Sequence, residues 1–244
     1  MNFEPSATVR EITQQCPSSF RVFEELGIDY CCGGNKSLAE AARIADISLE
    51  QVLARLEAAS ETVDGADLPR WQDASLSALT RHIVERHHVF VRTEAPRLQA
   101  LAGKVSTRHG SAHPELLGIS LAFGFLAEEM INHMQKEEQV LFPYIERLEQ
   151  ASGRQHAAPS APFVTVAQPV ECMMRDHDKA AGLMRKVRDL SKGFTLPEGA
   201  CNSFRALYAG LREFEQDLHR HVHLENNILF PRALHVEDKA CTPA

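Results

Sequence analysis

Two stretches of this chain, 88 residues apart, repeat one another. His133-Met134-Gln135-Lys136-Glu137-Glu138-Gln139-Val140-Leu141-Phe142-Pro143 and His221-Val222-His223-Leu224-Glu225-Asn226-Asn227-Ile228-Leu229-Phe230-Pro231 are identical at five of eleven positions. A single histidine precedes each copy, His88 by 45 residues and His177 by 44. Such a near-constant offset is expected of two helical hairpins that meet about a pseudo-twofold axis. Positions i and i+4 share one face of a helix, so each His-x-x-x-Glu pair aims an imidazole and a carboxylate at one volume. Four antiparallel helices would then bring six side chains together on their common axis.

The surrounding pattern agrees with an all-α chain: an antiparallel four-helix bundle preceded by a small helical domain. Residues 1 to about 62 hold three capping boxes, Thr8-x-x-Glu11, Ser37-x-x-Glu40 and Ser48-x-x-Gln51, which predict short helices. Gly, Pro and two acids crowd residues 63–69 and mark a linker. The division is therefore expected as a small domain over 1–65 and the bundle over 74–238. Helices are expected over roughly 74–102, 114–149, 168–192 and 197–235. Pro114 before Glu115 suits one start, and Thr195-x-x-Glu198 with Pro197 in the first turn suits another. The Ala-, Pro- and Ser-rich residues 151–168 read as the long, mobile connection between the hairpins. The apolar stretch 116–127 is interrupted by Gly118, Ser120 and Gly124 and falls short of the roughly 20 residues that cross a bilayer, so it reads as a buried helix.

Apolar neighbours, Met130, Met134, Leu141 and Phe142 in one copy and Leu218, Ile228, Leu229 and Phe230 in the other, imply that the six polar groups are buried. Without partners each would cost about 1–3 kcal/mol, and a metal is the simplest compensation. Imidazole with carboxylate suits iron, manganese or zinc. Two carboxylates bridging two ions, four imidazoles and an oxide or hydroxide bridge leave room for a small molecule on the metals. A ferritin-like site needs Glu-x-x-His on two helices, and only Glu85-x-x-His88 fits. No H-E-x-x-H of a zinc protease occurs. By spacing, His87 competes with His88. His219 and His223, about 160° around the helix from His221, are expected to face solvent.

With 26 basic against 33 acidic residues, a formal charge of -7 and no basic cluster, the chain has no electrostatic footprint for nucleic acid, and none is expected as a partner. The first residues have neither a basic n-region nor an apolar h-region, which points to the cytoplasm. Six cysteines there would be thiols rather than a disulfide framework. Adjacent Cys31 and Cys32 can close only a strained ring. The Gly33-Gly34 pair would free the backbone to expose both thiols, and the Ser37-capped helix would lower a thiol pKa if it points at them. Cys31 and Cys32 are therefore candidates for redox or metal transfer. Cys16 and Cys201 read as inert, partly buried residues.

The H…HxxxE…H…HxxxE arrangement, its Leu-Phe-Pro tails and the run Leu224-Glu225-Asn226-Asn227-Ile228-Leu229-Phe230-Pro231-Arg232 resemble the haemerythrin-like domain of the repair-of-iron-centres proteins. Asp29-Tyr30-Cys31-Cys32-Gly33-Gly34 resembles that family's small leading domain, the ScdA type. The resemblance covers nearly the whole chain. It implies a haemerythrin-like bundle with two Fe ions per chain, oxo- or hydroxo-bridged, on His88, His133, Glu137, His177, His221 and Glu225, and it decides for His88 over His87. It also implies repair of damaged iron-sulfur proteins, with nitric oxide or O2 as small ligand. By the same resemblance His109, in the expected loop 104–110, is either an outer-shell or gating group at the metal pocket or a plain loop histidine, and a homodimer is allowed. Nitric oxide reduction at the di-iron centre, or sensing and scavenging of NO or O2, are the alternative functions.

Overall fold

The computed structural model describes residues 3–16, 18–61, 71–153 and 160–241. The expected linker at 63–69 and the middle of the 151–168 connection lie outside the described residues. Among the described residues the regular elements are helical, and Thr8 and Ser37 form an isolated antiparallel bridge. No helix is long and apolar enough to cross a membrane. The chain divides into two compact units: Met1–Ser75 with Val222–Pro231, and Leu76–His221 with Arg232–Ala244.

The first unit begins with four short helices, α1 (Val9–Gln15), α2 (Ser19–Leu26), α3 (Leu38–Ile44) and α4 (Leu49–Glu61). Their starts follow the capping chemistry. Thr8 and Glu11 form a reciprocal capping box, and the hydroxyls of Ser37 and Ser48 accept from the amides of Glu40 and Gln51. Gly27, at φ +66°, ends α2 in the left-handed conformation that only glycine adopts without strain. Val9, Ile12, Phe23, Leu38, Val52 and Leu56 form the buried centre. Their helical spacing places one apolar face per helix inward. Val222–Pro231, ten residues of the last helical run, cluster with this unit.

Three helical runs make up most of the second unit. The first is α5 (Leu76–His82), a π-helical turn Ile83–His88 and α6 (Val89–His109). The second is α7 (Glu115–Lys136), a π-helical turn Glu137–Leu141 and α8 (Phe142–Gly153), and the third is α9 (Ala167–Leu190). The last run, α10 (Asn202–His223), the π-helical turn Leu224–Leu229 and α11 (Phe230–Cys241), gives this unit its two ends. α6 packs on α7, and α7 on α9. Gly118 permits the second contact, since a Cβ there would stand 3.0 Å from Leu190 Cδ1. Glu149 closes the start of α5. Its carboxylate accepts from the amides of Leu76 and Ser77 at 2.6 and 3.0 Å and from the Ser77 hydroxyl at 2.6 Å. Partial burial raises its pKa, but these bonds outweigh that and leave it below the ordinary carboxylate range.

The structure corrects two expectations from the sequence. The last run starts at Asn202, not near 197, because Lys192, Gly193, Phe194 and Gly199 all have positive φ and the Thr195 hydroxyl donates back to the Lys192 carbonyl instead of capping a helix. The stretch 116–127 is amphipathic rather than buried throughout. Leu116, Ile119, Phe123 and Leu126 face the core, while Leu117, Leu121 and Phe125, each four residues from the next, are exposed.

Candidate metal centre

Each helical run carries its part of the site at a defined place. His88 ends the first π-helical turn, His133 lies in the last turn of α7, and Glu137 opens the second π-helical turn. His177 is in the middle of α9, His221 near the end of α10, and Glu225 in the third π-helical turn. None is more than 1% exposed. The histidines meet in pairs through Nε2, His88 with His221 at 3.2 Å and His133 with His177 at 3.1 Å. Glu137 Oε2 lies 3.4 Å from His88 Nε2 and 3.2 Å from His133 Nε2.

Their donor atoms form two groups, each within 4.8 Å: His88, Glu137, His221 and Glu225, and His133, Glu137, His177 and Glu225. Both carboxylates are shared between the groups. The spacing tests the fit of a metal. Two nitrogens each about 2.1 Å from one ion, at right angles to each other, stand about 3 Å apart. That is the separation of each Nε2 pair, and it places two imidazole nitrogens and the shared carboxylates around one small buried volume on each side. Mixed imidazole and carboxylate donors of this kind make a metal-binding site.

Around the donors stands a less symmetric set of groups. His87 does not join them. Its Nδ1 meets Asp217 Oδ1 at 3.0 Å, and its ring stacks on that of His221 at 5.5 Å and 10°. His88 Nδ1 donates to Glu138 Oε1 at 2.6 Å, and Arg92 donates to the same oxygen at 2.6 Å. Burial raises the Glu138 pKa, but the two bonds prevail and hold it below the ordinary range. On the other side Asp176 bonds Lys136 at 2.8 Å and stands 3.8 Å from His133 Nδ1. His109 is not brought to the group. It closes the 21-residue α6, roughly 30 Å of helix from His88. There it meets Cys201 Sγ at 3.2 Å, and Cys201 is a free, partly buried thiol as its sequence context suggested.

Cys31 and Cys32 differ. Cys31 is buried and Cys32 half-buried, with their sulfurs 4.0 Å apart. The neighbouring Cys32 thiol and then burial push the Cys31 thiol well above its ordinary range, and the Asp29 carboxylate adds to that. Asp29 Oδ1 accepts from the amides of Cys31 and Cys32 at 3.1 and 3.0 Å in an Asx turn. The expected exposure of both thiols and the lowered pKa are thus corrected for Cys31. Gly33 and Gly34 serve close approach, since a Cβ would stand 2.8 Å from the Asp29 carbonyl oxygen and 2.7 Å from Asn227 Oδ1 respectively.

His223, expected at the surface, is 1% exposed within the first unit. Burial pushes its pKa down to about 4, so it is neutral. Asn227 organises its surroundings. Asn227 Oδ1 accepts from Arg10 Nε at 2.8 Å, which orients the amide. Its Nδ2 then donates to His223 Nδ1 at 3.0 Å and to the carbonyls of Tyr30 and Cys31 at 3.0 and 3.3 Å. Gln14 donates to the Asn227 carbonyl at 2.9 Å. The sequence signal for this was the second repeat's own composition: His223, Leu224 and Ile228 stand where the first has Gln135, Lys136 and Val140.

Two family models match the chain. Residues 79–233 match the haemerythrin HHE cation binding domain, and residues 5–60 match a domain of unknown function, DUF542. The chain is 37% identical over 228 residues to the iron-sulfur cluster repair protein YtfE of Pectobacterium atrosepticum, covering 93% of this chain and 96% of the relative. The same identity and coverage hold for the YtfE protein of Pectobacterium carotovorum. That of Yersinia pseudotuberculosis is 36% identical over 223 residues, 91% of this chain and 93% of the relative. With both domain models in order and relatives similar along almost their whole length, the chain belongs to the haemerythrin HHE cation-binding family and, within it, to the family of the YtfE iron-sulfur cluster repair proteins.

Proposed function

We propose that this protein repairs iron–sulfur clusters damaged by nitric oxide or oxidants, by holding two iron ions and delivering iron to the damaged protein in the cytoplasm. The observation that carries this reading is the pair of buried donor groups sharing Glu137 and Glu225, in a chain whose relatives are named for cluster repair. Glu137 and Glu225 would bridge the two ions, His88 and His221 would complete one position, and His133 and His177 the other. When bound, such a pair supplies two adjacent redox-active cations with room for NO or O2. The chain's own part is to present four imidazole nitrogens and two carboxylates to the ions and to exclude bulk water by full burial.

The small domain, 1–65, would serve transfer to the client. Cys32 is the thiol placed for it, because Cys31 is buried and held protonated. The decisive comparison uses the purified protein and a Cys31→Ser, Cys32→Ser double variant. Elemental analysis should give about two irons per chain in both, and only the unaltered protein should reactivate a damaged cluster enzyme. Stoichiometric zinc without iron would refute the metal assignment. Unchanged reactivation by the variant would remove the thiols from the mechanism.

A further inference from the structure

At the end of the second unit remote from the metal donors, the fold joins two residues 92 positions apart. His109 Nε2 and Cys201 Sγ lie at 3.2 Å, in hydrogen-bonding contact. Each stands at a helix terminus. His109 is the last residue of the 21-residue α6, where the closing carbonyls favour a positive charge. Cys201 directly precedes the 22-residue α10, and its carbonyl accepts from the Arg205 amide, so it occupies the N-cap, where free amides favour a negative charge. Moving the thiol proton to the imidazole creates those two charges in those two places.

The neighbouring groups hold the pair and leave it reachable. Phe204 meets the His109 ring at 5.8 Å and the His113 ring at 5.4 Å, edge to face in both cases. The Glu115 carboxylate is engaged by His113 Nδ1 at 3.1 Å. Tyr208 stays protonated, because burial and then Glu115 push its pKa up to about 12. The exposed Arg205 donates to the Ala200 carbonyl at 3.0 Å, which keeps a guanidinium beside the loop that carries Cys201. His109 and Cys201 are each only partly buried, so the sulfur is open to a small reagent. Other sulfurs have different company. Cys16 meets the Ser18 hydroxyl at 3.1 Å, and Cys31 donates to the Asp29 carboxylate at 3.3 Å. A hydroxyl is no base, and a carboxylate repels the thiolate it would have to create.

We propose that Cys201 is a second covalent site of this chain, a thiol that gives its proton to His109 and exchanges with small disulfides of the glutathione type. The Cys201 sulfur bonds to one sulfur of the disulfide as the bond between that pair breaks. The departing sulfur leaves as a thiolate, takes the proton from the His109 imidazolium and is released as a thiol, so one disulfide replaces another with no net change in oxidation. The exchange uses neither iron nor Cys31 and Cys32, so it stands apart from the cluster-repair reading. It marks the chain reversibly wherever such disulfides accumulate.

The test incubates the full-length protein, its thiols reduced, with glutathione disulfide and follows each cysteine by peptide mass spectrometry. Cys172, a free thiol of the same burial class, is the internal reference. A free thiol is only a few per cent ionised near neutral pH, so transfer to His109 should make Cys201 react about 10-fold faster than Cys172 or more. His109→Gln should bring Cys201 down to the Cys172 rate without altering the latter, and added imidazole should restore part of the rate in His109→Ala. Loosening of the fold would speed both thiols, so a fall at Cys201 alone reports the lost base. Equal rates at Cys201 and Cys172 in the unaltered protein, or a Cys201 rate indifferent to His109→Gln, would overturn the proposal.

Discussion

The two copies of the repeat carry the same ligands in different surroundings. In the first, His133 and Glu137 are buried, but Gln135, Lys136, Gln139 and Val140 between and after them are exposed. In the second, every residue from 221 to 230 is buried. The first copy is an ordinary amphipathic helix with one functional face. The second has two: one face carries His221 and Glu225, and the other joins the N-terminal helices through His223, Leu224, Asn227 and Ile228. The shared His and Glu therefore mark the donor face, the shared Leu-Phe-Pro tail continues its apolar seam, and the divergent positions mark the face packed within the first unit.

The largest test of that division strikes what the copies share. His133→Ala and His221→Ala should each lower the iron content and destabilise the protein by about 4 kcal/mol at saturating iron, since bound metal stabilises by mass action. The melting temperature should fall by about 10 °C in each case. Elemental analysis and calorimetry would break the comparison if one copy tolerated the loss and the other did not.

A smaller effect should separate the copies. Asn227→Ala removes bonds to Arg10, His223, Tyr30 and Cys31 and leaves buried groups unpaired, for a loss of about 2–3 kcal/mol with iron retained. Gln139→Ala, at the equivalent exposed position, should change stability by less than about 0.5 kcal/mol. Equal effects in denaturant unfolding would mean that the second face does not exist in solution.

His223→Gln gives the second copy the residue that the first has at position 135, and sharpens the contrast further. It loses the edge contact with Phe20 at 4.8 Å and the acceptor for Asn227, which predicts about 1–2 kcal/mol and unchanged iron content. A loss of iron instead would show that this face and the metal face cannot be separated.

The convergence of the six side chains was legible because coordination demands particular residue types at fixed intervals: His133 with Glu137 and His221 with Glu225 show an i, i+4 spacing in two short windows, and His88 and His177 precede them by 45 and 44 residues. The docking face was not. Asn227 finds Tyr30 and Arg10 at separations of 197 and 217 residues, and no local periodicity reports a partner so remote. Helical geometry rotated His223 away from His221 correctly, but rotation alone cannot say whether water or Tyr30 and Phe20 waits on that side. Cys31 escaped for a similar reason. Glycines suggested freedom, whereas Gly33 and Gly34 are needed because the chain passes too close to Asp29 and Asn227 for any side chain. The capping residues, whose partners lie three residues away, were read correctly at Thr8, Ser37 and Ser48 and misread at Thr195, where several left-handed residues turn the chain first.

The π-helical turns bear on how such a centre can be moved or lost. Ile83–His88, Glu137–Leu141 and Leu224–Leu229 each contain a donor, and each widens the helix at the place where a ligand must face inward. A π turn in an otherwise regular helix accommodates one extra residue, and it re-aims the side chains beyond it by about 100°. Copying the six donors onto straight α-helices would therefore aim some of them elsewhere. Conversely, deleting one residue from any of the three turns would give a more regular helix and strand a ligand, so this bundle could shed its metal by a single small deletion while its hydrophobic seam stayed nearly intact.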